Sequence, residues 1–192
     1  NGEGKNYRQG INCILETVES LLKRVNLHYY IAVDMKGFEQ LIDSMGGVEF
    51  DVDIFIPGPT PAEDLYVGPQ LLDGRAYMQY LTYLDSDSRD DLMRIERQKK
   101  LLLATLSHFK KMGRFRQVLP TYHAYQDSLD TDLQLNQIIS LVVFAREHLD
   151  INSVDDYTLQ GEYIEGDDEE RLILDDEANW QIIKEVFFPE MN

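Results

Sequence analysis

The sequence predicts an α/β (α+β) fold, a twisted mixed sheet covered by helices on both faces. Three observations carry that class. Helical and strand periodicities alternate between residues 11 and 56, Val48 to Ile56 alternates apolar with acidic positions, and two short strand patterns near residues 157–164 and 171–174 flank an acidic turn. A chain of 192 residues that is 43% apolar and 28% charged is expected to form one compact domain over 1–192.

Asn1 to Gln9 is polar and glycine-containing and reads as a loose lead-in. Ile11, Ile14, Leu15, Val18, Leu21, Leu22 and Val25 then recur at helical spacing, so residues 11–25 are expected to be an amphipathic helix, with Cys13 inside it. His28 to Met35 is aromatic and β-branched and reads as a buried strand, with His28 a structural residue at its start. Gly37 to Met45 is helical in pattern, and Gly46-Gly47 supplies residues that end helices at positive φ. In the next segment Val48, Phe50, Val52, Ile54 and Ile56 alternate with Glu49, Asp51 and Asp53, which predicts a strand with one wet face. Pro57 to Asp64 holds three of the six prolines and is expected to be a surface loop.

A short helix is expected after Asp73, then an acidic loop, then a long helix from Asp90 or Asp91 to about Met112. A carboxylate at its start accepts hydrogen bonds from the free first-turn amides. Leu101 to Leu103, Leu106 and Phe109 mark its buried side, while Lys99, Lys100, Lys110 and Lys111 stay wet. Phe115 to Asp127 reads as a broken helix or loop around Pro120. Leu133 to His148 is helical, with Asp130, Thr131 and Asp132 as candidate caps, and a last helix starts at Asp176.

A net charge of −17 argues against general attraction to nucleic acid. The charge is uneven: nine Arg and Lys against three acids from Arg89 to Arg116, and fourteen acids against Arg171 and Lys184 from Asp150 onward. A local anion site is the consequence. The single Cys13 forms no internal disulfide and leaves the compartment open. No apolar run reaches the ~20 residues of a membrane helix. Nucleotide-loop, GxSxG and zinc spacings are all missing.

The chemistry concentrates between Asp73 and Gln98. On the long helix Asp91, Arg94 and Gln98 fall at i, i+3 and i+7 with Arg97 beside them, so a carboxylate, guanidiniums and an amide share one face. Guanidiniums grip phosphate oxygens in a fork, and a carboxylate orients an arginine, holds a divalent metal or takes a proton. A solvated face with i, i+3 ion pairs accounts for the same spacing. Asp43, Asp51 and Asp53 make a second acidic group able to hold a hard cation, or, for Asp51 and Asp53, simply a wet strand face.

Three segments together, VDMKGFEQLIDSMGGVEFDV at 33–52, LLDGRAYMQYL at 71–81 and DDLMRIERQKKLLLATL at 90–106, resemble the core of the LytR-CpsA-Psr family of cell-envelope proteins, and the resemblance spans nearly the whole chain. It implies a membrane-anchored, extracytoplasmic enzyme of mainly Gram-positive bacteria that transfers a glycopolymer from a polyprenyl diphosphate carrier onto peptidoglycan. It further implies a magnesium ion (Mg2+) at Asp43, an acid and an arginine at Asp91 and Arg94, and diphosphate contacts from Arg94, Arg97 and Gln98. Two departures stand out. Thr82 and Leu84 occupy the arginine positions of the family's Y-x-R-x-R pattern, leaving Arg89 as the nearest substitute. The family's early strands, with a further phosphate-facing arginine, are expected ahead of residue 1. A non-catalytic envelope module with the same fold is therefore the alternative expectation.

Overall fold

The computed structural model describes residues 2–84, 90–112, 128–150, 153–165 and 170–191. They group into two compact units, Asn1–His28 with Asp155–Asn192, and Tyr29–Val154. Helix and strand are mixed as expected. Among the described residues the strands form three separate two-stranded antiparallel ladders.

In the first unit, helix α1 (Gly2–Leu21) begins about two and a half turns before Ile11, the first of the residues that carry the apolar period. Glycine lowers helix propensity by about 1 kcal/mol without forbidding the helix, and Glu3, Lys5, Arg8 and Gln9 are good formers. The helix stops short of Val25 because Lys23 and Arg24 turn left-handed, with φ of 55° and 68°. The Arg24 amide donates to the Glu19 carbonyl at 2.5 Å and the Lys23 amide to the Ser20 carbonyl at 3.1 Å. These are the two bonds of a Schellman ending, made without the usual glycine. The late hairpin pairs Gly161–Glu165 with Glu170–Leu174. It feeds a helix, Asp176–Phe187, whose first amides are capped by the Asp175 carboxylate. Asn179 is buried, and its side-chain amide exchanges both hydrogen bonds with the Gln160 backbone, at 2.6 and 2.8 Å.

The second unit holds the arginine helix. Strand β1 (Ile31–Val33) pairs antiparallel with β4 (Leu129–Thr131). This corrects the buried strand expected at His28 to Met35. Only three residues pair, and Ile31 and Val33 are 58% and 38% exposed, because an apolar run records strand propensity and not what covers it. Helix α2 (Met35–Ser44) is capped by Asp34, which accepts from the Gly37 amide at 2.6 Å, and ends at Gly46 and Gly47 with φ of 85° and 87°. Strand β2 (Val48–Val52) has the expected alternation, Val48 and Val52 buried and Glu49 and Asp51 exposed. Its partner β3 (Gly68–Leu72) was not expected, since Pro69 removes one ladder donor and the run is short. A bridge between Ile56 and Leu65 extends the ladder toward the proline loop.

Helix α3 (Gly74–Thr82) starts on Asp73, which accepts from the Ala76 amide at 2.8 Å. Helix α4 spans Asp90–Met112. The core they share with β2 and β3 contains Ile42, Val48, Val52, Leu72, Tyr77, Tyr80 and Leu101, all 1% exposed or less. Burying each such side chain contributes roughly 1.5–3 kcal/mol. Phe38 packs on Tyr77 at 5.5 Å, and Phe50 packs edge-on against Tyr80 at 5.0 Å. The helix Leu135–His148, labelled α5, takes Gln134 as its cap residue, with the Gln134 amide donating to Gln137 Oε1 at 2.8 Å. The expected caps lie elsewhere: Asp130 and Thr131 are in β4, and Asp132 accepts from the Tyr30 amide at 3.0 Å. The broken helix or loop expected at Phe115 to Asp127 lies outside the described residues. Among those described, no helix is long and apolar enough to cross a membrane.

Candidate functional site

Helices α3 and α4 run antiparallel. Tyr77 Oη meets Thr105 Oγ1 at 2.9 Å, Gln98 Nε2 donates to the Leu81 carbonyl at 3.0 Å, and Arg97 Nη2 donates to the Tyr83 carbonyl at 3.2 Å. Descending α3 thus means ascending α4. Arg97 and Gln98 meet the C-terminal end of α3, where carbonyls lack helical partners and the dipole favours a cation. Arg97 is only 4% exposed, and its guanidinium stands 6.0 Å from the centre of the Tyr83 ring. Arg94 is half-buried one turn earlier on α4. Asp91 lies in the first turn of that helix; its side chain and Arg89 fall outside the described residues.

The structure therefore keeps Arg94, Arg97 and Gln98 together on α4 and gives the last two partners on the α3 backbone. Thr82 and Leu84 stand near the same helix end. Thr82 donates to the Met78 carbonyl at 2.7 Å, and Leu84 is 56% exposed.

Asp43 is placed at the other end of α3. Its Oδ1 accepts from the Gly74 amide at 2.7 Å, the first residue of the helix. With a rise of 1.5 Å per residue, the two ends of α3 are separated by roughly 13 Å. One Asp43 oxygen is thus occupied by the Gly74 amide, at the end of α3 opposite the one that Arg97 and Gln98 meet. Asp51 points from β2 into an open hollow of about 540 Å3 lined by Glu49, Phe50, Pro69, Gln70 and Leu71. Among the described residues no three His, Cys, Asp or Glu side chains converge as a metal site.

Asp53 has the partners that the sequence did not reveal. Tyr80 Oη donates to its Oδ1 at 2.7 Å and Lys100 Nζ to its Oδ2 at 3.2 Å. Burial alone raises the Asp53 carboxyl, but the hydrogen bonds from Tyr80 and Lys100 outweigh it and hold the group below its usual range. Burial first, and then the bond to Asp53, pushes the Tyr80 hydroxyl well up, against the charge of Arg97. Asp53, Ile54, Met93, Glu96, Arg97 and Lys100 line a cleft of about 350 Å3. The residue after the β2 strand end and two cations line it, and the buried Tyr80 hydroxyl reaches Asp53 from the core. Nothing local in the sequence signals contacts across 27 and 47 positions.

The sequence matches the LytR_cpsA_psr family over residues 4–186. It is 27% identical over 134 residues to the polyisoprenyl-teichoic acid–peptidoglycan teichoic acid transferase TagU of Oceanobacillus iheyensis, covering 69% of this chain and 41% of the relative. It is 24% identical over 132 residues to the transferase TagV of Bacillus subtilis, which carries the same enzyme description, covering 66% of this chain and 34% of the relative. The crystal structure of B. subtilis TagV superposes with a TM-score of 0.73 at 20% identity, over 89% of this chain and 66% of that one. The matched segment spans about two-fifths of the TagU relative's length. At this identity the structural likeness establishes the shared fold.

Proposed function

Because this chain belongs to the LytR_cpsA_psr family, whose match runs over residues 4–186, we propose that it carries part of the active centre of an extracytoplasmic enzyme that moves a glycopolymer from a polyprenyl diphosphate carrier onto peptidoglycan. The observation that carries the reading is the cationic face of α4, where Arg94 stands one turn before Arg97 and Gln98 at the C-terminal end of α3. The relatives named as teichoic acid transferases support the substrate class.

The step assigned to these residues is a phosphoryl transfer. An acceptor sugar hydroxyl attacks the phosphorus that bears the glycopolymer. Asp91 takes the hydroxyl proton, a new P–O bond forms, and the bond to the carrier's phosphate breaks, its electron pair leaving with that phosphate. Arg94 meets the charge that accumulates there, because a fixed guanidinium costs no reorganisation at the moment of reaction. Arg97 and Gln98 hold the end of α3 against this face, and Arg89, outside the described residues, is the nearest substitute for the two arginines that Thr82 and Leu84 replace. Without arginines at Thr82 and Leu84 the clamp rests on α4.

Magnesium enters as the cofactor the family implies; when bound it supplies positive charge to a diphosphate. Asp43, with one oxygen on the Gly74 amide and the length of α3 between it and Arg97, does not fit an ion shared with the arginine face, and no step is routed through it. Membrane anchorage belongs to the same proposal and is assigned to a segment outside the described residues.

Mass spectrometry of the purified protein for bound polyprenyl phosphate, followed by titration with a polyprenyl diphosphate, tests the reading. Bound lipid and measurable affinity are expected. A lipid-free protein with no affinity at low salt would sink it.

A further inference from the structure

We propose that Asp53 is a positioning residue for Arg97: its carboxylate ties α3 and α4 to the end of β2 and so fixes the guanidinium at the arginine face. The inference rests on the functional reading above for its consequence in catalysis, and on geometry alone for the positioning.

The contacts close a ring. Asp53 accepts from Tyr80 on α3 and from Lys100 on α4, at 2.7 and 3.2 Å. Three residues beyond Tyr80, the Tyr83 carbonyl accepts from Arg97, which stands three residues before Lys100. Each helix is therefore gripped at two points one turn apart, once through Asp53 and once through Arg97. Gln98 on the Leu81 carbonyl and Tyr77 on Thr105 also join the two helices. The Asp53 grip adds a tie from both helices to the end of β2, one turn from the Arg97–Tyr83 contact, and so opposes rotation of α4 at the level of the guanidinium. The ring is anchored in the core: Tyr80 is 1% exposed and stacks edge-on with Phe50 of β2. Asp53 and Arg97 also line the same cleft. A buried tyrosine hydroxyl needs only some acceptor, and a backbone carbonyl suffices for that purpose. An ionised acceptor that also takes Lys100 makes the contact charge-assisted and about twice as strong.

The test uses the chain with Asp53→Asn, Tyr80→Phe, Arg97→Ala and the double variant Asp53→Asn with Arg97→Ala. Calorimetric titration with farnesyl diphosphate is expected to show roughly tenfold weaker binding for Asp53→Asn, and no further loss when Asp53→Asn is added to Arg97→Ala. An equal loss in both backgrounds overturns the inference, because the carboxylate then acts independently of Arg97. The ligand-free readout is the Arg97 Nε–H resonance in nuclear magnetic resonance spectra. It is expected to shift in Asp53→Asn and in Tyr80→Phe, while the Asn179 side-chain amide stays in place. An unmoved Arg97 resonance in the folded Tyr80→Phe variant overturns the inference even if Asp53→Asn fails to fold. Absence of farnesyl diphosphate binding by the unmodified chain counts against the functional reading and leaves the resonance experiment to decide the positioning.

Discussion

The Asp43 carboxylate and the Gly74 amide meet at 2.7 Å, joining the last turn of α2 to the first residue of α3. The contact is close enough that a Cβ on Gly74 would stand 2.1 Å from the Glu39 carbonyl oxygen. Gly74→Ala is therefore expected to destabilise the domain by about 1–3 kcal/mol through forced backbone shifts. Asp43→Ala should cost about 1 kcal/mol, and Asp43→Asn less, since an amide oxygen still accepts from Gly74. Urea denaturation of the three variants checks the order; equal losses for Asp43→Asn and Asp43→Ala would mean that the charge and not the hydrogen bond matters.

Arg94→Ala is expected to weaken binding of a polyprenyl diphosphate by about 1–3 kcal/mol and to flatten its dependence on salt. Lysine at the same position keeps the charge but loses the fork, so Arg94→Lys should recover only part of the affinity. Titrations at two ionic strengths read both effects.

Thr82 is exposed and Leu84 is 56% exposed, so arginines at these positions enter no core. Thr82→Arg with Leu84→Arg should alter stability by less than about 0.5 kcal/mol and raise diphosphate affinity in a salt-sensitive way. Melting temperature and affinity measured on one preparation separate the outcomes. A stable double variant without tighter binding would place the diphosphate away from this end of α3.

Stability should respond to pH at both extremes through the Tyr80–Asp53 pair. The folded-state value of Tyr80 is raised, by burial and then by its bond to Asp53. Its contribution is therefore complete below the unfolded value of about 10 and is lost as the pH rises through the folded value. Tyr80→Phe should remove that alkaline loss. The Asp53 value is lowered, with burial opposing and the bonds from Tyr80 and Lys100 prevailing. Its contribution is present above about pH 4 and is lost as the pH falls through the folded value. The stability gap between the unmodified chain and Asp53→Asn should narrow below that pH, measured by urea midpoints across the range.

Arg24 holds φ of 68° in the Schellman ending of α1. Arg24→Gly is expected to stabilise the protein by up to about 1 kcal/mol, the relief of left-handed strain exceeding the added chain entropy. A thermal melt with a lowered midpoint would contradict this.

By itself the sequence determined what local periodicity and chemistry encode. The helical run through Leu15 and Val18, the alternation from Val48 to Val52, the Gly46-Gly47 turn, the extent of α4 and the helix after Asp175 follow from side-chain spacing and allowed φ, which neighbouring residues fix. It also placed Arg94, Arg97 and Gln98 on one helix. The partners of these residues were decided only in three dimensions. Gly68–Leu72 becomes a strand because β2 offers it a ladder, not because of its own propensity. Asp43 turns to the Gly74 amide, and Asp53 gathers Tyr80 and Lys100, through contacts whose sequence separations leave no periodic trace. Arg97, which the sequence offers as a diphosphate contact or as part of a solvated helix face, is buried with the free carbonyls that end α3 beside it, an arrangement that only packing creates.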